Sequence, residues 1–225
     1  MDPNAAGTSF PPYEFQVERG KIREFARAIF GEPDRVDFRA TTTKSRIPMV
    51  KEEIVDMALA TITMTPERAL EVDFSAVYFV TGPALGTLKE NAAKFKRLED
   101  LGGKTIAVTK GSVYEKILKE RIPSIRIALI DTHAEILQAI QTRRVDGAVT
   151  DEVNVLSMMR HDPNLVVAIP PFDPVSKYGA AIKKGRTDLV QFVNEVVRDV
   201  KASGRWKEIY SANIEGKVPE PPLAE

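Results

Sequence analysis

The sequence predicts an α/β fold. Three observations carry that prediction. Short apolar runs of strand length alternate with longer stretches whose apolar residues recur at helical spacing. Helix-start signals precede several of those stretches, at Thr65-Pro66-Glu67, Ser112 with Glu115, and Thr132 with Glu135. Gly and Pro clusters mark boundaries, as at Gly31-Glu32-Pro33-Asp34, Gly82-Pro83 and Pro170-Pro171.

Taken in order, Arg19 to Phe30 reads as a helix, and Val36 to Ala40 alternates as a strand. Ser45 to Glu53 is a second helix. The apolar run around Val55, Met57 and Leu59 is too continuous for a surface strand. Thr65 then caps a helix with Pro66 at its first position and Glu67 near its positive end. Tyr78 to Leu88 is extended, and Lys89 to Asp100 is a charged, polar stretch. A new α/β unit follows. Its strands are expected at Thr105–Val108, Ile125–Leu129, Val145–Val149 and Leu165–Ile169. Its helices open at Ser112, at Thr132 and after Asp151. Tyr178 to Lys183 is a return strand. Leu189, Phe192, Val193, Val196, Val197 and Val200 then recur at helical spacing. Gly204 to Tyr210 closes the body, and a Pro-rich tail follows Gly216.

Composition removes several function classes. With 43% hydrophobic residues in 225, the chain can bury a sizeable core in one or two domains. Lys+Arg and Asp+Glu both number 32, so no net charge draws the chain to nucleic acid or an anionic membrane. Cysteine is absent, which excludes disulfides, thiolate zinc sites and cysteine nucleophiles. No apolar run reaches bilayer length. His133 and His161 lack metal-ligand spacing and read as surface residues, and no phosphate loop or serine-nucleophile motif occurs. No metal or cofactor is expected. Residues 1–9 lack the basic start and apolar core of a signal peptide. Met57, Met158 and Met159 read as core, and Asp146 as structural.

The stretch from Val55 to Phe79 carries the chemistry. A Thr-rich loop presents hydroxyls and free N–H groups, and Arg68 adds a planar fork of donors. Together they form a receiver for a carboxylate. On its own, Arg68 could equally be a surface helix residue.

This segment, Ala60 to Arg68 with Val72-Asp73-Phe74-Ser75-Ala76-Val77-Tyr78, resembles the periplasmic-type solute-binding proteins of polar amino-acid ABC transporters. Further motifs arrive in that family's order: Leu98-Glu99-Asp100-Leu101, Lys110-Gly111-Ser112, Arg144 to Asp151, Tyr178-Gly179, and Gly204 with Trp206 and Tyr210. The resemblance runs from about Phe10 to Tyr210. It implies a two-lobed, type II periplasmic-binding-protein fold, each lobe a mixed sheet flanked by helices, with a two-strand hinge. Lobe 1 is expected at 1–87 plus 176–225, and lobe 2 at 88–175. The family's first strand is missing or reduced to Ala6-Gly7-Thr8 here, and exchange of a strand with a second chain would yield a dimer.

The resemblance also implies a ligand set. Thr61, Thr63 and Arg68 hold the ligand's α-carboxylate, aided by Ser112 and the Val113 backbone, and Asp151 holds the ammonium. Phe10, in Phe10-Pro11-Pro12-Tyr13, covers the ligand side chain. Ser112 and Asp151 could instead be helix caps, and Phe10 an aromatic in a Pro-fixed turn. The expected function is capture of a polar amino acid in an interlobe cleft, with glutamate, aspartate or glutamine favoured. Lys44, Arg46 and Lys110 could make the cleft mouth cationic, although Arg46 also reads as a surface residue at a helix start. Delivery to an ABC-transporter permease, in a periplasmic or extracellular, membrane-associated setting, is the expected partner and location. A cyclohexadienyl or arogenate dehydratase on the same fold is the enzymatic alternative, with Glu14 or Glu152 as acid. A scaffold that no longer binds ligand is the third.

Overall fold

The computed structural model describes residues 32, 37 and 39–208. The first helix, Val36 and Phe38 of the strand expected at 36–40, the reduced first strand, Phe10, Glu14 and the Pro-rich tail fall outside the described residues, and residues 37, 39 and 40 lie in no strand. The chain is mixed α/β and divides into two compact units, passing from one to the other after Thr81 and returning after Pro174.

The unit from Gly82 to Pro174 is built on five strands. These are β4 (Pro83–Leu88), β5 (Thr105–Thr109), β6 (Arg126–Ile130), β7 (Gly147–Asp151) and β8 (Leu165–Ile169). The sheet order is β6-β5-β7-β4-β8. Strand β5 runs parallel to β6 and β7, while β4 is antiparallel to β7 and β8. Its central strands carry apolar residues on both faces, which demands cover on both sides. Ala84, Ala107 and Ala148 face one way, under Ile136, Ile140, Val155 and Met158. Their neighbours Leu85, Ile106, Val108 and Val149 face the other, with Phe95, Leu101 and Leu118. The covering helices are α4 (Tyr114–Arg121), α5 (His133–Gln141) and α6 (Glu152–His161). Within the stretch read as merely polar, Lys89–Ala92 forms α3 and Leu98–Leu101 a turn of 3-10 helix.

The capping box predicted for Thr132 and Glu135 is present, each side chain bonded to the other's backbone N–H. The one predicted for Ser112 and Glu115 is absent. Helix α4 begins later, at Tyr114, with Val113 at the cap, and the buried Ser112 Oγ makes no hydrogen bond. Gly111, at φ 83°, turns the chain sharply there, and that displaces Ser112 from the cap position. Asp146 is structural as expected: its carboxylate accepts from the Thr105 N–H at 2.8 Å.

In the other unit, α1 is Arg46–Lys51, β1 Met57–Ala58, α2 Pro66–Ala69 and β2 Val72–Phe74. They are followed by β3 (Phe79–Thr81), β9 (Ser176–Tyr178), β10 (Ala181–Lys183) and α7 (Thr187–Ala202). Strands β1, β10 and β2 form one antiparallel sheet in that order, and β3 pairs antiparallel with β9. The first strand is only two residues long, because the chain leaves the ladder at Leu59 to form the Thr61–Thr65 loop. The single return strand expected at Tyr178–Lys183 is two strands, broken at Gly179-Ala180. A Cβ on Gly179 would sit 2.9 Å from Met64 Sδ and 3.0 Å from the Ser75 carbonyl oxygen, so the break lets two loops meet.

Helix α7 turns Val193, Val196 and Val197 inward. Its polar residues, with Trp206 beyond its end, fix the Ala76–Tyr78 segment. Asn194 accepts from the Ala76 N–H, Lys201 donates to the Val77 carbonyl, and the Trp206 indole N–H donates to the Tyr78 carbonyl at 3.0 Å. Burial lowers the Lys201 pKa.

Candidate functional site

The first group of predicted residues lies on the loop between β1 and α2. Thr65 is the N-cap of α2, and its hydroxyl accepts from the Arg68 N–H at 3.2 Å. Pro66 occupies the first turn, where its lack of an N–H costs nothing. Arg68 thus starts from a fixed backbone. Its Nη1 donates to the Thr63 carbonyl at 2.8 Å. Thr63 is itself bridged to Tyr178, and the Met64 N–H donates to the Lys177 carbonyl at 2.9 Å, so β9 holds the loop from the other side.

Arg46 is not the surface residue its position allowed. It is 8% exposed, and its Nη1 approaches the Thr61 carbonyl at 3.3 Å and the Thr61 hydroxyl at 3.4 Å. Two guanidinium groups therefore meet one short loop, Arg46 at Thr61 and Arg68 at Thr63. The Tyr78 hydroxyl donates to the Ala60 carbonyl at 2.6 Å and anchors the start of that loop. Lys44 is exposed and Lys110 pairs with Asp131.

The second group lies at the carboxyl ends of β5 and β7. Asp151 ends β7, is 6% exposed, and stands at the N-cap position of α6, where its side chain makes no cap hydrogen bond. It accepts a hydrogen bond from the Tyr114 hydroxyl. A buried carboxylate needs such a donor, since burial without one costs several kcal/mol, order of magnitude. Ser112 and Val113 lie immediately before Tyr114, so the same helix start carries both the Asp151 partner and the predicted backbone donors. Glu152, the first residue of α6, has its carboxyl raised above the ordinary range by burial. His133 is not a plain surface residue. It opens α5 half-buried, with Nε2 near the Thr109 and Thr150 hydroxyls. His161 is exposed, as expected.

Thr61, Thr63 and Arg68 thus lie in one unit, on the loop after β1 and the helix it leads into, and Ser112, Val113 and Asp151 lie in the other, at the carboxyl-end side of β5 and β7. Arg46, Tyr114 and His133 are the neighbours that sequence reasoning placed wrongly or passed over. For Tyr114 the missing signal was strand order. Only the adjacency of β5 and β7 shows that a helix following the first abuts a carboxylate ending the second. Among the described residues, no cluster of His, Asp or Glu could hold a metal, and no helix is long and apolar enough to cross a membrane.

Two α/β units, which the described residues cross between after Thr81 and again after Pro174, are the architecture of the two-lobed solute-binding class of protein. The chain belongs to the bacterial extracellular solute-binding proteins, family 3, whose model matches residues 5–215. It is 33% identical over 189 residues to the ABC transporter glutamine-binding protein GlnH of Bacillus subtilis, covering 84% of this chain and 68% of that one. The crystal structure of a solute receptor for L-cysteine from Neisseria gonorrhoeae matches with a TM-score of 0.82 at 27% identity, over 88% of this chain and 80% of that one. An ancestral amino-acid-binding protein described as a precursor of cyclohexadienyl dehydratase matches with a TM-score of 0.75 at 28% identity, over 90% and 84% of the two chains. The fold is the two-lobed one of these proteins.

Proposed function

We propose that this protein binds a free polar amino acid outside the cytoplasm and delivers it to an ABC-transporter permease. The observation that carries this reading is the Arg68 guanidinium, held on the Thr63 carbonyl beside the Thr61 loop. A planar donor fork on a fixed backbone suits a carboxylate. Asp151, buried and ionisable, supplies the complementary partner for an α-ammonium. Ser112 Oγ and the Val113 N–H add donors for the carboxylate. The named relatives bind amino acids as different as glutamine and L-cysteine, which supports the α-amino and α-carboxyl groups as the shared target. Among side chains we favour glutamine, glutamate or aspartate. A thermal-shift panel of the twenty amino acids tests the reading. Saturable stabilisation by a polar amino acid supports it, and no shift with any of them contradicts it.

A dehydratase reading rests on one observation, the raised carboxyl of Glu152. A general acid needs such a shift. Turnover of prephenate or arogenate, lost in Glu152→Gln, would favour it over binding alone.

A further inference from the structure

One imidazole joins the two segments assigned to the ligand in the Gly82–Pro174 unit. His133 Nε2 lies 3.2 Å from Thr150 Oγ1 and 3.4 Å from Thr109 Oγ1. Thr109 is the last residue of β5 and Thr150 the next to last of β7. The strands are parallel neighbours, with Ile106 beside Gly147 and Ala107 beside Ala148. Continued in register, that pairing puts Thr109 level with Thr150. The chain turns from Thr109 into Lys110-Gly111-Ser112-Val113, and the Ser112 N–H donates back to the Thr109 carbonyl at 3.0 Å. Thr150 is followed directly by Asp151. Asn154 secures the arrangement, its amide donating to Thr150 Oγ1 at 3.3 Å. Thr109, Thr150 and Asn154 are all buried. Water therefore cannot readily replace a lost hydrogen bond here.

We propose that His133 is a positioning residue, which sets the spacing between the Lys110–Val113 loop and Asp151 by bonding both strand ends at once. The inference rests on the reading that these two segments hold the amino acid. Nε2 has one hydrogen or one lone pair, so its contacts at 3.2 and 3.4 Å form one three-centre interaction that draws both hydroxyls to a single point, from a backbone held by the capping box at Thr132.

Two variants separate positioning from plain packing. His133→Leu keeps comparable volume and removes every polar atom. His133→Gln keeps an amide that can donate and accept. In the ligand-free protein, amide hydrogen exchange in His133→Leu is expected to accelerate at Lys110–Val113 and at Asp151–Glu152 together. His133→Gln restores protection at both. Calorimetry with L-glutamine and L-glutamate is expected to show about tenfold weaker binding for His133→Leu, the scale of one lost hydrogen bond with an orphaned partner, and near-complete recovery for His133→Gln. Unchanged exchange at both segments in a folded His133→Leu overturns the proposal, as does equal loss of affinity in the Gln and Leu variants. If the unsubstituted chain binds neither amino acid, the functional reading fails, and the exchange experiment still decides the role of His133.

Discussion

Arg68 is tethered to Thr63: its guanidinium donates to the Thr63 carbonyl at 2.8 Å while the Thr65 hydroxyl holds its backbone N–H. The tether spends one edge of the fork on the loop and orients the remaining donors. Arg68→Ala removes the fork without disturbing the cap. Amino-acid affinity is expected to fall at least about thirtyfold, the cost of deleting one member of a hydrogen-bonded charge pair. Circular dichroism should show the fold retained. Arg68→Lys should not restore affinity, because an ammonium cannot present parallel donors.

Arg46 supports the same loop from inside the unit. Arg46→Ala leaves the Thr61 carbonyl without that donor in a part-buried setting. The expected loss is about 1–3 kcal/mol of stability, read from urea unfolding. A surface arginine would give a change near zero.

Tyr114 donates to Asp151 from a ring that is 3% exposed. Tyr114→Phe keeps the ring and strips one donor from a buried carboxylate. Unfolding experiments should show a cost of about 1–3 kcal/mol. Asp151→Asn in the same background should recover part of that loss while abolishing ammonium recognition.

Gly147, the first residue of β7, lies close against the β4 backbone. A Cβ there would meet the Gly86 carbonyl oxygen at 2.8 Å, a backbone atom that cannot swing aside. Gly147→Ala is expected to cost about 1–3 kcal/mol through forced separation of the central strands. A melting temperature equal to that of the parent chain would count against this close approach.

Two carboxyl groups respond to pH in opposite directions. Burial raises Glu152, so the folded chain retains a proton there that the unfolded chain releases. That contribution to stability is present at acid pH and falls as pH rises from the ordinary glutamate value through the raised one. Asp162 is lowered, first by the Gln141 amide and then by the Asn164 N–H. Its contribution is present above the ordinary aspartate value and is lost as pH falls through the lowered one. In denaturant titrations at a series of pH values, Glu152→Gln should flatten the first limb and Asp162→Asn the second.

Much of this fold was legible in the chain. The strand Leu165–Ile169, the helix carrying Val193 and Val197, and the Thr65-Pro66 helix start all stand where periodicity and capping put them. These signals are local, set by residues within a few positions of one another. The errors were tertiary. Ser112 and Glu115 have capping-box spacing, yet the turn at Gly111 moves the helix start past Ser112. His133 read as a surface residue, and Arg46 as either a cleft-mouth cation or a surface residue, because nothing near them in sequence shows the strand ends and loop they meet. The Asp151 carboxylate was recognisable from its motif, whereas its Tyr114 donor depended on strand order. Phe10 lies outside the described residues.

The proposed function requires Arg68 and Asp151 each for binding of an amino acid. Isothermal calorimetry of the parent chain, Arg68→Ala and Asp151→Asn with L-glutamine and L-glutamate tests it most directly. The account predicts saturable one-to-one binding of at least one of them by the parent, and loss of that binding in both folded variants. Undiminished binding in either variant, or no binding by the parent, would contradict it.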